Sequence, residues 1–512
     1  MDMDILGGLA SGFAVALTPT NLALAFLGCF VGTIIGALPG IGPVNGVAIL
    51  IPLAFSFQLD PASALILLSC VYYGCMYGGR ISSIMLNIPG DEPAIMTTLD
   101  GYPMARQGKA TEALAISAVA SFIGATLATV GLTLFSPLLA RAAIHFGPSD
   151  YFALYVMAFA TIGGVTGANP CKTLLAAFLG LMLASVGLDP ASGTARYTFG
   201  SFNLYDGFDP IVAIVGLFAI SEVLIFLETS HKASHGMPPL GRMYAGLKDV
   251  RRSFGAMLRG SGLGFVAGIL PGAGASLGAF LAYVFERRLS NRDDTFGKGD
   301  PRGVAAPEAG NNAAAGGALI PMLTLGIPGS GTTAVMLALL ISLNITPGPL
   351  LFERQPEMVW GLIASLYIAN VVLLVLNLPL VGLFTRMLSL PAYVLMPFVV
   401  MVSFLGIYSI SNSTFDLLVM IGFGLLGFVM RKLEISLVPL VLGLLLGADM
   451  ENNLRRALSI SNGDFRILFE SPIALVIYGI TVIALLIAFG LAFTGRRIAP
   501  PPTSDENASI EG

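Results

Sequence analysis

Two glycine–proline runs occur in the first half of the chain and recur in the second. Gly36-Ala37-Leu38-Pro39-Gly40-Ile41-Gly42 is matched by Gly268-Ile269-Leu270-Pro271-Gly272-Ala273-Gly274 at an offset of 232. Asn87-Ile88-Pro89-Gly90-Asp91 is matched by Gly326-Ile327-Pro328-Gly329-Ser330 at an offset of 239. Neither run can stay helical, because proline lacks a donor and clashes with the preceding turn, and glycine frees the backbone. A helix that restarts after such a break offers free N–H groups and a positive dipole end, which suits an anion. The helix end before the break offers carbonyls, which suit a small cation such as Na+. The residues placed to meet an anion are Pro39, Gly40, Gly42, Asn45, Pro271, Gly272, Gly274, Ser276, Ser330, Thr332 and Thr333. Those placed to meet a cation are Asn87, Pro89, Gly90, Asp91, Glu308, Asn311, Asn312, Ile327, Pro328 and Gly329. The plainer reading of the polar ones is helix capping and interhelical packing. Arg80 lies within an apolar stretch and either receives a carboxylate, pairs with Asp91 or Glu92, or snorkels to the interface.

The elements that hold these residues are membrane helices. Of 512 residues, 55% are hydrophobic and 11% charged, and the mean hydropathy is +0.84. Soluble proteins carry about 25% charged residues, so a soluble enzyme and a disordered chain are excluded. The net charge of -4 leaves no basic footprint for nucleic acid. Four cysteines (Cys29, Cys70, Cys75, Cys171) sit in or beside apolar stretches and read as membrane-buried thiols. Met1 to Thr20 has no Lys or Arg, so no signal-peptide n-region is expected.

Apolar stretches fall at 21–55, 61–99, 111–142, 150–168, 172–188, 209–228, 260–285, 304–350, 358–385, 391–411, 415–430, 435–448 and 470–494. Residues 5–17 form a shorter one, expected to be interfacial or peripheral. The linker 229–259 carries Lys232, Arg242, Lys248, Arg251, Arg252 and Arg259 and reads as cytoplasmic by the positive-inside rule. It separates a first membrane repeat, 1–228, from a second, 260–495, followed by a polar tail, 496–512.

Flanking charge orients the repeats. Stretch 260–285 has Arg259 before it and Arg287, Arg288, Arg292, Lys298 and Arg302 after it, so both flanks read as cytoplasmic. Its partner, 21–55, is flanked by Asp2, Asp4 and Asp60 without Lys or Arg. The same element with opposite flanks implies an inverted repeat of two re-entrant hairpins, two broken helices and roughly ten full spans in an all-α polytopic fold. Arg141 and Arg455-Arg456 fall on the outer side and run against this scheme. Irregular backbone survives at membrane depth only in protein or beside a wet cavity, so four such breaks point to a secondary-transport site.

These motifs resemble the large permease subunit of the tripartite tricarboxylate transporters. The matching runs are Gly36–Gly42, Tyr72-Tyr73-Gly74-Cys75-Met76-Tyr77-Gly78-Gly79, Leu86–Gly90 and Leu99-Asp100-Gly101-Tyr102-Pro103-Met104-Ala105-Arg106-Gln107-Gly108. In the second half they are Gly268–Gly274, Pro307-Glu308-Ala309-Gly310-Asn311-Asn312-Ala313 and Leu325–Gly329. The resemblance implies a multi-pass importer of the bacterial inner membrane, driven by Na+ or H+. It also implies a periplasmic solute-binding protein, a small membrane subunit and a di- or tricarboxylate substrate. Arg80 stands where the resemblance leads one to expect a small or hydroxyl residue, which implies an altered substrate or charge balance. No cofactor is expected, and no G-x-x-x-x-G-K-[ST] run is present. An anion channel and an intramembrane enzyme are the rival classes. His145, His231 and His235 form no buried catalytic pair in the sequence scheme. The sequence leaves open the substrate, the coupling ion and dimerisation of the complex.

Overall fold

A computed structural model describes residues 5–493 except 39, 166–169, 190, 230–246, 273, 292–293 and 388–391. Pro39, much of the basic linker with His231 and His235, and the 496–512 tail therefore lie outside the described residues.

The first half runs α1 (Ile5–Ala16), α2 (Pro19–Ala37), α3 (Gly42–Ser56), α4 (Pro61–Leu86), α5 (Ile95–Met104), α6 (Ala110–Ala143), α7 (Pro148–Val165), α8 (Pro170–Ala184), α9 (Pro210–Ile214) and α10 (Ser221–Thr229). The second runs α11 (Leu247–Ile269), α12 (Gly274–Ser290), α13 (Pro301–Gly317), α14 (Leu319–Leu325), α15 (Gly331–Ser342), α16 (Leu351–Arg354), α17 (Pro356–Asn377), α18 (Val381–Met387), α19 (Ala392–Ser411), α20 (Thr414–Lys432), α21 (Val438–Ile460) and α22 (Pro472–Phe493). Among the described residues the strands are Gly187–Leu188 and Ala195–Arg196, an antiparallel pair. The protein is an all-α polytopic membrane protein. Six helices are long and apolar enough to cross a bilayer alone, and six further apolar helices are shorter, among the described residues.

The halves repeat one packing scheme. Gly28, Gly32 and Gly36 of α2 lie on the backbone of α4: a β-carbon at each would stand 2.7, 2.4 and 2.2 Å from the carbonyl oxygens of Leu67, Val71 and Cys75. Gly260, Gly264 and Gly268 of α11 lie on α13 in the same way, 2.3, 2.0 and 2.3 Å from the oxygens of Ala306, Gly310 and Ala314. The offsets of 232 and 239 carry every member of the first ladder onto the second. Glycine every fourth residue presents one bare helix stripe, and the two backbones close on it.

The helix ends repeat too. Asp60 caps α4 by accepting from the Ser63 N–H at 3.1 Å, with Pro61 next. Asp300 caps α13 by accepting from the Arg302 N–H at 2.9 Å, with Pro301 next. Both proline positions lack a donor that the first turn would leave unused. α4 ends on Asn87 at φ 59° and α14 ends on Gly326 at φ 72°, both left-handed. The hairpin turns share positive φ at Gly40 and Gly42 (86° and 64°) and at Gly272 and Gly274 (78° and 64°), where a side chain would be strained.

α4 and α13 are almost wholly buried and form the centre. Large exposed apolar side chains, such as Leu134 and Leu138 on α6, Leu418 and Leu425 on α20 and Leu486 on α22, face outward as a lipid surface requires.

α1 packs by one face on α17, where a β-carbon at Gly12 would stand 2.2 Å from the carbonyl oxygen of Trp360, while its other face, with Leu6, is exposed. Two expectations change. The first arm of the second hairpin begins at Leu247, because an amphipathic helix takes up the last part of the basic linker. α21 runs past the apolar stretch to Ile460. Its Arg455 pairs with Glu451 at 2.6 Å and Asp189 at 3.3 Å. The Ala191 N–H, followed by the Ser192 hydroxyl and the charges of Arg455 and Arg196, holds the Asp189 carboxyl below its usual range.

Candidate functional site

Each hairpin turn leads into a helix whose first residues meet the break of the same half. A β-carbon on Gly42 would stand 3.5 Å from Cβ of Asp91, and one on Gly274 would stand 3.8 Å from Cβ of Ser330. The Gly274 N–H donates to the Gly329 oxygen at 3.1 Å. Gly90 presses on Gly79 and Gly36, and Gly329 presses on Ala318. These are again corresponding positions, since the offset of 239 carries Gly79 to Ala318 and Asp91 to Ser330.

The two halves then meet across these elements. Ser276 near the start of α12 donates to Glu92 at 3.3 Å. The Tyr72 hydroxyl of α4 lies 3.5 Å from the Ser330 hydroxyl. A β-carbon at Gly331 would stand 3.3 Å from Val44. Gly42, Asp91, Glu92, Gly274, Ser276, Gly329 and Ser330 thus form one contact region. Cavities of about 300 and 210 Å³ lie elsewhere, the first among Ser185, Arg196, Asp206 and Glu451, the second among Lys109, Asp249, Arg252 and Asp300.

Several polar candidates are helix-end groups. Ser330 and Thr333 form a capping box at the start of α15: the Ser330 N–H donates to Thr333 Oγ1 at 2.8 Å, and the Thr333 N–H donates to Ser330 Oγ at 3.2 Å. Thr332 is buried beside them. Asp91 Oδ1 accepts from the Ala94 N–H at 3.0 Å, while its Oδ2 is buried without a partner. Ile327 is buried and its N–H donates to the Pro321 oxygen at 3.3 Å. Pro271 offers its carbonyl to the Thr161 hydroxyl of α7. Pro89, Gly272 and Asn87 are half-buried, Pro328 is buried, and Gly40 is exposed.

The acidic centre lies on α13. Glu308 is fully buried and accepts from the Thr97 hydroxyl at 2.5 Å and the Ser121 hydroxyl at 3.1 Å. Asn312 donates to the Glu308 carbonyl at 3.0 Å. The Oδ1 atoms of Asn311 and Asn312 are buried and accept nothing. Positions 308, 311 and 312 share one helix face. The offset of 239 also carries Tyr72 to Asn311, so the Tyr72–Ser330 contact has its counterpart position in Asn311 and Asp91. Two of the oxygens without partners, Asn311 Oδ1 and Asp91 Oδ2, belong to that counterpart pair.

Two residues expected to meet the anion bond to the protein itself. Arg80 is fully buried and donates to the Tyr77 oxygen at 2.8 Å, the Leu114 oxygen at 2.6 Å, Ser117 Oγ at 2.5 Å and Asn377 Oδ1 at 2.9 Å. Its guanidinium joins α4, α6 and α17 and pairs with neither Asp91 nor Glu92. Asn45 donates to the Ile41 oxygen at 2.5 Å and to Glu222 at 3.1 Å, and accepts from Arg431 at 3.1 Å. Glu222 and Arg431 form an ion pair, so Asn45 ties α3 to α10 and α20. Both arrangements have one physical cause: a buried donor is satisfied by whatever oxygens the neighbouring helices supply.

Tyr72, Thr97, Ser121 and the Glu222–Arg431 pair were not singled out as site residues from sequence. The repeat offset was the available signal for Tyr72, because it equates that residue with Asn311.

Residues 22–442 match the family model described as the tripartite tricarboxylate transporter TctA family. The chain is 40% identical over 495 residues to an Agrobacterium vitis protein named "Uncharacterized 52.8 kDa protein in TAR-I ttuC' 3'region", covering 97% of this chain and 98% of that one. It is 42% identical over 234 residues to a second A. vitis protein, "Uncharacterized protein in TAR-II ttuC' 3'region", covering 46% of this chain and 97% of that one. No solved structure matches.

Proposed function

This chain belongs to the tripartite tricarboxylate transporter TctA family, a transporter family and not an enzyme family, and on that premise we propose that it imports an organic anion by cation-coupled alternating access. The substrate class is a di- or tricarboxylate. A periplasmic solute-binding protein delivers it, a small membrane subunit completes the complex, and the complex sits in the bacterial inner membrane. The observation that carries the reading is the convergence of both hairpin starts and both breaks, linked across the halves by Ser276–Glu92 and Tyr72–Ser330.

The two halves are oriented oppositely in the bilayer, in keeping with their flanking charges, and their hairpins are re-entrant. The anion meets the N–H groups at the starts of α12 and α15, where Gly274, Ser276, Ser330, Thr332 and Thr333 lie. The coupling cation, Na+ or H+, is taken by the acceptor oxygens of Glu308, Asn311 and Asp91. An acceptor-only oxygen buried without a donor is costly, and a cation or proton there relieves that cost. Gradient energy is released as the hairpins and broken helices move against the remaining helices.

Thr332→Val with Thr333→Val tests the anion end. Valine keeps the volume but removes both hydroxyls, including the Thr333 half of the capping box. Expected is a rise in apparent KM for carboxylate uptake of about tenfold, the equivalent of about 1.4 kcal/mol, with membrane insertion unchanged. Unaltered uptake kinetics would remove the start of α15 from the site.

A further inference from the structure

The run Leu99–Gly108 has no part in the transport step above, yet Asp100 within it is fully buried and takes four donors. Its Oδ1 accepts the backbone N–H groups of Gly297 at 2.8 Å, Gly299 at 2.9 Å and Asp300 at 2.8 Å. Its Oδ2 accepts the Tyr283 hydroxyl at 3.0 Å. Three successive or near-successive N–H groups turned on one oxygen form an anion nest, here filled by a side chain of the other half. The loop is shaped for it. Gly297 and Gly299 have φ of 81° and 100°, and a β-carbon on Gly303 would stand 2.0 Å from Asp100 Oδ2. Gln107 adds a second tie by donating to the Lys298 oxygen at 2.8 Å.

The contacts follow α12 along its length. Ser276 near its start meets Glu92, Tyr283 two turns later meets Asp100, and the loop after its end wraps Asp100. Ser276 and Tyr283 are about 10 Å apart along the helix axis. Both partners, Glu92 and Asp100, lie on the segment from the first break into α5. The device is one-sided, since the offset of 239 carries Asp100 to Leu339, which has no carboxylate.

We propose that Asp100 is a positioning residue that holds α12, the second arm of hairpin two, in register with the first break, so that the two move as one body. The movement in question is that of the transport cycle proposed above, but the contact itself is testable without substrate.

Hydrogen exchange followed by mass spectrometry on the purified full chain separates a local tie from a register-setting one. Asp100→Ala is expected to speed exchange at 296–300, and also at 274–280 and 90–97, by at least about tenfold. Asp100→Asn, which keeps one acceptor oxygen for the three N–H groups, is expected to fall between the alanine variant and the parent. Faster exchange confined to 296–300, with both tip segments at the parent rate, would overturn the proposal. Should the alanine variant fail to accumulate, Asp100→Asn and Tyr283→Phe are read by the same criterion. A failure of the transport reading would leave these exchange rates unaffected.

Discussion

Glu308→Gln is expected to abolish gradient-driven accumulation of the carboxylate, lowering it at least about 100-fold, as befits an ionisable group held inside a membrane protein. Glutamine keeps the length and one acceptor oxygen, so either Thr97 or Ser121 retains its bond while the other hydroxyl turns to another acceptor. What is removed is the ability to carry a negative charge or a proton. Protein yield and elution profile should be those of the parent, because no volume changes. Exchange of internal for external carboxylate, which needs no net cation movement, should survive better than accumulation. Parent-level accumulation in this variant would take Glu308 out of the coupling step and leave it a packing group of α13.

Arg80→Ala is expected to lower stability by about 3–5 kcal/mol, from the cavity of a fully buried side chain together with the acceptors it abandons. The Leu114 oxygen, Ser117 and Asn377 all lose the donor that joins α4 to α6 and α17. Arg80→Lys keeps the charge but not the planar fork, and should lie between alanine and parent. The measurement is thermal loss of the monodisperse peak in detergent, alongside the apparent KM of the protein that remains. A normal melting temperature with a tenfold higher KM would instead mark Arg80 as a carboxylate receptor.

Arg80 and Asn45 show where sequence reasoning stopped. The cost of an intramembrane arginine is visible in the sequence, and a partner was rightly demanded. Its partners are supplied by residues 34 and 297 positions away, on helices whose relative rotation no local pattern encodes. The partners of Asn45 were hidden for the same reason, since Glu222 and Arg431 reach it from α10 and α20. The breaks were legible because proline and glycine act on their own backbone: helices end at Leu86, Ile269 and Leu325 beside the runs that forbid continuation. The recurrence of the halves was legible because these same runs return in the same order at offsets of 232 and 239, whereas the glycine ladders of α2 and α11 became visible only in the packing. Asp100 was visible within a motif, but its role needed the fold, because its donors are backbone groups of a loop in the other half.

The chain's place in a cation-coupled importer is tested most directly by uptake in proteoliposomes holding this chain with its small subunit, fed by the loaded binding protein. A panel of di- and tricarboxylates is offered with an inward Na+ gradient, with an inward proton gradient, and with neither. The account predicts accumulation above the external concentration for at least one carboxylate under one imposed gradient, collapsing when an ionophore dissipates it. Equilibration to equal concentrations, at the same rate with and without either gradient, would contradict it and would mark the protein as a passive anion pathway.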